Sequence, residues 1–414
     1  MTSPLNKARW QAGLCGWLLS TAAYGLTQEI RAVYIPDPAD PQTNRFVNQT
    51  PQSGYCAIVA NDCKPMSGVR IPVRFSSVQA MEPGHTLRDG AMFNFPAQWR
   101  SLEVRHVFTG ETATVGMRIG GLGSEYVLSD TAANLTGDHG GIPNRAHDTL
   151  WGGRSWGSAP PPCLPAAAAV AGDDNYRFFW FTPVIGTCAK QTAFTIPWMT
   201  YSYLDVAYEL QMPDPLKMSA GLYTGELTYG VGPGMDFDTG DNLLPDSSQV
   251  TFRFVLDVQH VLKVDIPPGG NKVALVPQGG WSAWLLQGRK PERLFRDQAF
   301  TITSSSRFKM FFECQHGGLQ SCGLRSQNGG GAPAQVFLSV SLPDSITDSD
   351  GRPVRRQPLS ANPDAPVFQP GRFLDRTMGT LHFEVPRSYV EDMLQPGQAN
   401  RYVGNVTVIW DSEV

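Results

Sequence analysis

The stretch Gly153-Arg154-Ser155-Trp156-Gly157 has the spacing that most directly suggests chemistry. It fits the G-x-S-x-G pattern, in which a serine is raised on a sharp strand-to-helix turn and activated by a nearby base. Its surroundings do not favour that turn. Pro160-Pro161-Pro162 follows it, and no alternation of strand and helix patterns flanks it. A second candidate, Phe237-Asp238-Thr239-Gly240, has the form of an aspartic-protease turn. That reaction needs two carboxylates sharing a proton, and the sequence holds no second Asp-Thr-Gly. Asp236, Asp238 and Asp241 supply hard oxygens of the kind calcium prefers, as does Asp348-Ser349-Asp350-Gly351, but EF-hand spacing is absent. Asp138, His139, His147 and Asp148 share one segment without the tight spacing that fixes a metal's geometry, so no metal site and no cofactor are expected. A secreted β-sandwich hydrolase or carbohydrate-processing enzyme acting through Ser155 or Asp238 stands as the alternative reading.

Binding chemistry is better represented than catalysis. Trp151, Arg154, Trp156, Tyr176 and Arg177 lie close together in sequence around a long irregular stretch, with Trp180 nearby. Arginine forks bind carboxylates, and aromatic faces stack on sugars or apolar patches. The set therefore suggests a receptor site for an acidic glycan. The plainer reading makes the aromatics core residues and the arginines surface residues.

The elements that must position these groups are short strands. The chain has 414 residues, enough for two domains at roughly 100–200 residues each. Hydrophobic residues make up 41% and charged residues only 17%, with 42 glycines and 33 prolines. That balance favours many short strands joined by tight turns. The formal net charge of −4 gives no nucleic-acid footprint. Alternating or β-branched runs recur, among them Val69 to Phe75, Ser101 to Phe108, Val115 to Ile119, Tyr176 to Phe181, Tyr201 to Leu210, Gln249 to Val258 and His260 to Ile266. Further runs are Lys272 to Val276, Phe308 to Glu313, Gln335 to Leu342, Thr380 to Val385 and Tyr402 to Trp410. This is the signature of sandwiches or barrels. Ser388 to Gln395 is the best candidate for a short helix, and no longer amphipathic helix is evident. Asp138 to Ala171 and Gly317 to Ala332 read as long loops.

The first 25 residues read as a signal peptide. Lys7 and Arg9 precede an apolar run from Ala12 to Ala23, and Ala23-Tyr24-Gly25 places small residues where a signal peptidase reads them. Cleavage is expected after Gly25, with Ala22 or Ala23 as alternatives. Export puts the mature cysteines in an oxidising setting. Cys56, Cys63, Cys163, Cys188, Cys314 and Cys322 are even in number, and pairing each with its neighbour in sequence is the simplest connectivity. A domain boundary is expected near residue 260, between the run ending at Val258 and the one opening at Val261.

The most specific feature is the end of the chain. From Arg401 to Val414 the residues Tyr402, Gly404, Val406, Val408 and Trp410 alternate onto one face, which defines a strand with a buried side. An exposed apolar edge is an aggregation hazard unless covered, and a strand from another chain is one known cover.

Several segments, in order, resemble the tip adhesins of alternate chaperone–usher fimbriae, of the colonisation-factor and cable-pilus type. They are Gly221-Leu222-Tyr223-Thr224-Gly225 leading into Gln249 to Val258, then Asn271 to Trp284, and Ser304 to Phe308 with the cysteine pair that follows. Leu381 to Val385 and the terminal Gly404 to Val414 complete the set. The resemblance implies an all-β protein of two stacked β-sandwich domains. A receptor-binding domain (26–260) would precede a pilin domain (261–414), the latter an incomplete immunoglobulin-like sandwich lacking one strand. It implies export through the periplasm to a fimbrial tip, with a periplasmic chaperone, an outer-membrane usher, the major fimbrial subunit that donates a strand, and a surface glycan or protein receptor as partners. Tyr402, Val406, Val408 and Trp410 would border the strand-accepting groove. It carries over no receptor residue, and it implies no enzymatic activity.

Overall fold

A computed structural model describes residues 25–329, 333–362, 365–395 and 401–412. The segment read as a signal peptide therefore lies outside the described residues, except for Gly25.

Residues up to 258 build a large core and a smaller cluster around Tyr55 and Phe179, and residues from 262 onward build a separate core. The elements of the first are β1 (Leu26–Tyr34), β2 (Ser67–Ile71), β3 (Arg100–His106), β4 (Thr112–Leu128), helix α1 (Pro143–Leu150), β5 (Asn175–Phe181), β6 (Leu204–Gln211), β7 (Gly221–Gly230) and β8 (Gln249–Val258). The strands belong to one 14-stranded sheet. β8 alternates buried and part-exposed residues along its length, as a half-buried strand must. It pairs parallel with β1 and antiparallel with β7. The 17-residue β4 joins the two halves of the sheet. Its first residues pair with β3, while its later residues pair with β6 on one side and β5 on the other.

Three glycines make that crossing possible. Gly120, Gly121 and Gly123 lie in β4 where neighbouring side chains press onto the backbone. A Cβ at Gly123 would collide with the Phe178 carbonyl oxygen and lie 2.6 Å from the Phe179 ring.

The second domain contains β9 (Leu262–Asp265), β10 (Leu294–Ser304), β11 (Phe308–Cys314), β12 (Cys322–Ser326), β13 (Ala334–Ser341), β14 (Val367–Pro370), β15 (Leu374–Val385), helix α2 (Arg387–Met393), β16 (Tyr402–Val403) and β17 (Val406–Asp411). An eight-stranded sheet runs β9-β10-β15-β13-β12-β16, with two short strands attached to it. A four-stranded sheet places β14, β11 and β17 in that order. The buried residues of both sheets form one core, including Phe300, Ile302, Phe308, Met310, Phe312 and Phe368. β13 contributes Val336, Leu338 and Val340 to it, every second residue of the strand.

Three disulfides join Cys56 to Cys63, Cys163 to Cys188 and Cys314 to Cys322.

Several expectations need correction. The run Val69 to Phe75 is split, because β2 stops at Ile71 and a separate short strand starts at Phe75, with Pro72 unable to donate to a ladder between them. The stretch 138–171 is not a plain loop. It holds α1, which starts on Pro143 where a missing amide costs nothing. The stretch 317–332 likewise holds β12, and its residues 330–332 lie outside the described set. Lys272 to Val276 does not form a strand, and only Val276 and Pro277 pair, with β10. The short helix expected at Ser388 to Gln395 is present as α2. The terminal strand is broken at Gly404 and Asn405, so that β16 pairs with β12 while β17 pairs with β11 in the other sheet.

Gly123→Ala should lower stability by about 1–3 kcal/mol, because the added methyl overpacks the β4–β5 contact. Urea unfolding of the mature chain checks this, and an unchanged midpoint would refute the packing account.

Candidate functional site

A groove opens onto the second core beside β17. Among the described residues β17 pairs only with β11, so its other edge carries no strand. Val406, Val408 and Trp410 pack against the second core, yet each is only half-buried. They form one wall of a groove of about 310 Å³. Segment 266–275 supplies the opposite wall through Ile266, Val273 and Leu275, and Phe300, Leu381 and Phe383 of β10 and β15 form the floor. The Trp410 ring meets Phe300 edge-on at 5.6 Å. Its indole nitrogen is buried and has no hydrogen-bond partner among the described residues. The groove is therefore a largely apolar cavity bordered by a strand edge that is unpaired among the described residues. An extended segment laid in it could bond to β17 and cover the core in one step.

Val406, Val408 and Trp410 stand where the alternation placed them. Tyr402 does not line the groove, because the break after Val403 leaves it on β16, paired with Ser326. The far wall and floor were missed as groove residues. Phe300, Leu381 and Phe383 sit in strand runs that read as ordinary core, and nothing local marks them as facing a gap.

Of the five residues proposed for a receptor site, the structure brings three together, and it does so inside the core. Trp151, Trp156 and Tyr176 are 1%, 0% and 2% exposed. They pack around Tyr126 and one another, with Trp151 and Trp156 ring centroids 5.0 Å apart. Trp151 Nε1 donates to the Tyr126 hydroxyl at 3.1 Å. No face of these rings is left for a ligand. Strand parity explains the rest: successive side chains of β5 point to opposite faces, so Tyr176 enters the core and Arg177 leaves it. Arg154 is exposed on the turn before Trp156.

Arg177 joins a different surface. It lies 3.8 Å from the Glu125 carboxylate on β4. Nearby, Arg70 on β2 stacks over the Tyr203 ring at 3.6 Å and makes a two-pronged ion pair with Asp205, at 2.7 and 2.9 Å. Arg177 and Glu125 both act electrostatically on Tyr203, which burial raises to about 12. This face therefore presents two guanidinium groups beside a tyrosine.

The catalytic candidates have structural roles. Ser155 Oγ lies 3.1 Å from the Tyr176 hydroxyl and accepts the Gly157 amide at 3.1 Å. Its turn connects no strand to a helix, so the nucleophile-elbow reading fails. Lys190 reaches the same turn and donates to the Ser155 and Ser158 carbonyls at 2.7 and 2.8 Å. Burial brings this ammonium down to about 8, and the Arg154 charge adds to the effect. Asp238 is buried and accepts from Arg88 at 3.0 Å and from the Gly240 amide at 2.8 Å. Asp241 shares Arg88, and Asp236 pairs with Arg100. Each of these carboxylates is thus held in an ion pair with arginine, Asp238 and Asp241 by the same guanidinium. His147 lies between the Tyr126 hydroxyl at 2.7 Å and the Gly172 carbonyl at 3.0 Å, and burial lowers its pKa. Among the described residues no group of three or more His, Cys, Asp or Glu is placed to hold a metal ion.

No protein-family model matches the chain, and no curated protein matches it. Solved structures do match. CfaE, the adhesive subunit of CFA/I fimbria of enterotoxigenic Escherichia coli, is 10% identical, with 93% of this chain and 92% of that chain covered at a TM-score of 0.23. The CsuC–CsuE chaperone–tip adhesion subunit complex of the archaic Csu pili of Acinetobacter baumannii is 8% identical, with 94% and 98% covered at 0.20. The CupB6 tip adhesin of Pseudomonas aeruginosa is 10% identical, with 84% and 96% covered at 0.25.

Trp156→Ala should cost about 3–5 kcal/mol, as removal of a fully buried aromatic does. Arg154→Ala should stay within about 0.5 kcal/mol of the parent, as exposed substitutions do. Urea unfolding of both variants checks the assignment of Trp156 to the core, which equal midpoints would overturn.

Proposed function

We propose that the chain is the adhesive tip subunit of a bacterial fimbria. In this reading residues 26–260 bind a glycan or protein on a surface, and residues 261–414 form a pilin domain completed by a strand from the next subunit. The observation that carries it is the groove beside β17, where an unpaired strand edge borders a half-covered core. A partner strand with apolar residues at every second position meets both needs at once. The orphaned indole nitrogen of Trp410 gives such a strand a polar contact as well.

A groove of this kind needs cover before assembly. The reading therefore includes a periplasmic chaperone that fills it during export, an outer-membrane usher where the exchange occurs, and the major subunit as final donor. Residues 1–25 act as the signal peptide. The chain has no catalytic role in this account.

For the receptor, the surface formed by Arg70, Arg177 and Tyr203 replaces the five-residue set. Two guanidinium groups beside an aromatic ring suit an anionic ligand such as an acidic glycan. Arg70 is committed to Asp205, so Arg177 is the residue to test.

Two outcomes are expected. A strand with alternating valines, fused after residue 414 through a flexible linker, should raise the melting temperature and periplasmic yield of the mature chain. The same strand with its alternation shifted by one residue should not. Equal stability with all three forms would contradict the strand-accepting reading. In the stabilised protein, Arg177→Gln should abolish adhesion to the receptor surface with little change in the melting temperature, and unchanged adhesion would dismiss this receptor face.

A further inference from the structure

An apolar turn stands exposed at one end of the groove. Helix Ser282–Gln287 lies between Val276–Pro277 and β10, and none of its residues is buried. Trp281 at its start is 36% exposed, Leu285 74% and Leu286 83%. Trp281 and Leu285 are four positions apart, so they share one side of the turn. Single exposed apolar residues are ordinary, but three in one turn mark a surface that meets something.

The turn is a built feature. Gly279 and Gly280 precede it with φ of 76° and 84°, and Gly288 ends it at 64°, a left-handed backbone that favours glycine. The Leu285 amide donates to the Trp281 carbonyl at 2.9 Å, and the Gly288 amide donates to the Trp284 carbonyl at 3.0 Å. Arg289 and Lys290 follow, both exposed.

Its place along β10 says what covers it. The groove floor runs down β10 from Phe300, which meets Trp410, to Arg296, which pairs with Phe383. Beyond the Phe300 end, β10 continues to Ser304, where it pairs with Leu262, and the first domain closes in. There Arg307 Nη2 donates to Ser219 Oγ at 3.1 Å, and Gln369 Nε2 donates to the Leu216 carbonyl at 3.0 Å. At the other end Leu275, a groove residue, leads into Val276 and Pro277, which pair with Phe295 and Leu294. Helix 282–287 follows that pair. A strand that fills the groove belongs to a body standing beyond one of its two ends. The first domain occupies the space beyond Phe300, so the body lies beyond Leu275, against the helix.

We propose that Trp281, Leu285 and Leu286, with Arg289 and Lys290 beside them, form the docking surface for the body of the subunit whose strand fills the groove, which meets them through an apolar patch rimmed by carboxylates. This surface rests on the strand-accepting reading, to which it adds a second point of attachment. The patch is small. A body tethered by its strand is already at high effective concentration, however, so a few apolar contacts suffice to lengthen its stay.

Two probes separate the strand from the body: the whole major subunit, and a synthetic peptide carrying only its strand-forming extension. Each is bound to the mature chain, and its release is followed after dilution into excess unlabelled peptide. The whole subunit should leave roughly ten- to a hundredfold more slowly than the peptide. Leu285→Ser combined with Leu286→Ser should bring the subunit's release to the peptide's rate and leave the peptide's own release unchanged. Arg289→Glu should speed release of the subunit alone. These side chains are exposed, so the fold is kept. Equal release of the two probes from the parent would overturn the docking surface and leave the strand-accepting groove standing. Faster release of the peptide from the leucine variant would also overturn it, by making the helix part of the groove. A dimer of the peptide-filled parent that the leucine variant dissolves would overturn it by giving the surface to a second copy. Binding of neither probe would remove the groove reading and the surface with it.

Discussion

The edge of β17 sets the terms for the whole second domain. An extended strand has two rows of hydrogen-bonding groups, and β11 satisfies one of them. The same strand should close the sandwich, yet Val406, Val408 and Trp410 are left half-covered. One extended segment can satisfy both requirements, because strand bonds and alternate side chains come together in a single chain. The opposite wall fits this account. β9 stops at Asp265, and segment 266–275 runs beside the groove without joining a ladder of its own. The residues expected to form a strand there remain irregular where a neighbouring strand would be needed to hold them.

The first domain solves the same problem internally. Its sheet gathers 14 strands, and β4 carries the sheet from one half to the other because glycines let β5 approach closely. The interior is filled by aromatic rings, and the polar atoms of Trp151, Tyr126 and His147 are bonded to one another in a chain. Lys190 fixes the neighbouring turn through two carbonyls. Rings so enclosed contribute to stability and offer nothing to a ligand. Strand parity alone decides that Arg177 reaches the surface beyond β5.

Much of this was legible in the sequence. Alternation marked most strands, and the local cysteine pairing needs only short loops. The terminal alternation located Val406, Val408 and Trp410. What escaped depends on contacts distant in sequence. Tyr402 follows the same period as Val406, yet Gly404 and Asn405 pass the chain from one sheet to the other and remove it from the groove. Trp151, Trp156 and Arg177 were grouped by proximity in sequence, which does not tell one face of a sheet from the other. Helix α1 is too short for its periodicity to stand out, and only Pro143 marked its start. The floor residues Phe300, Leu381 and Phe383 look like any buried strand residues, because a missing neighbour leaves no local trace.

Amide hydrogen exchange at Val406–Asp411, measured on the mature chain with and without a complementing strand, tests the central claim most directly. The account predicts that amides on the outer edge of β17 exchange fast in the isolated chain and become strongly protected once the groove is filled. Strong protection of those amides in the isolated chain would show that the edge is already satisfied, and would contradict it.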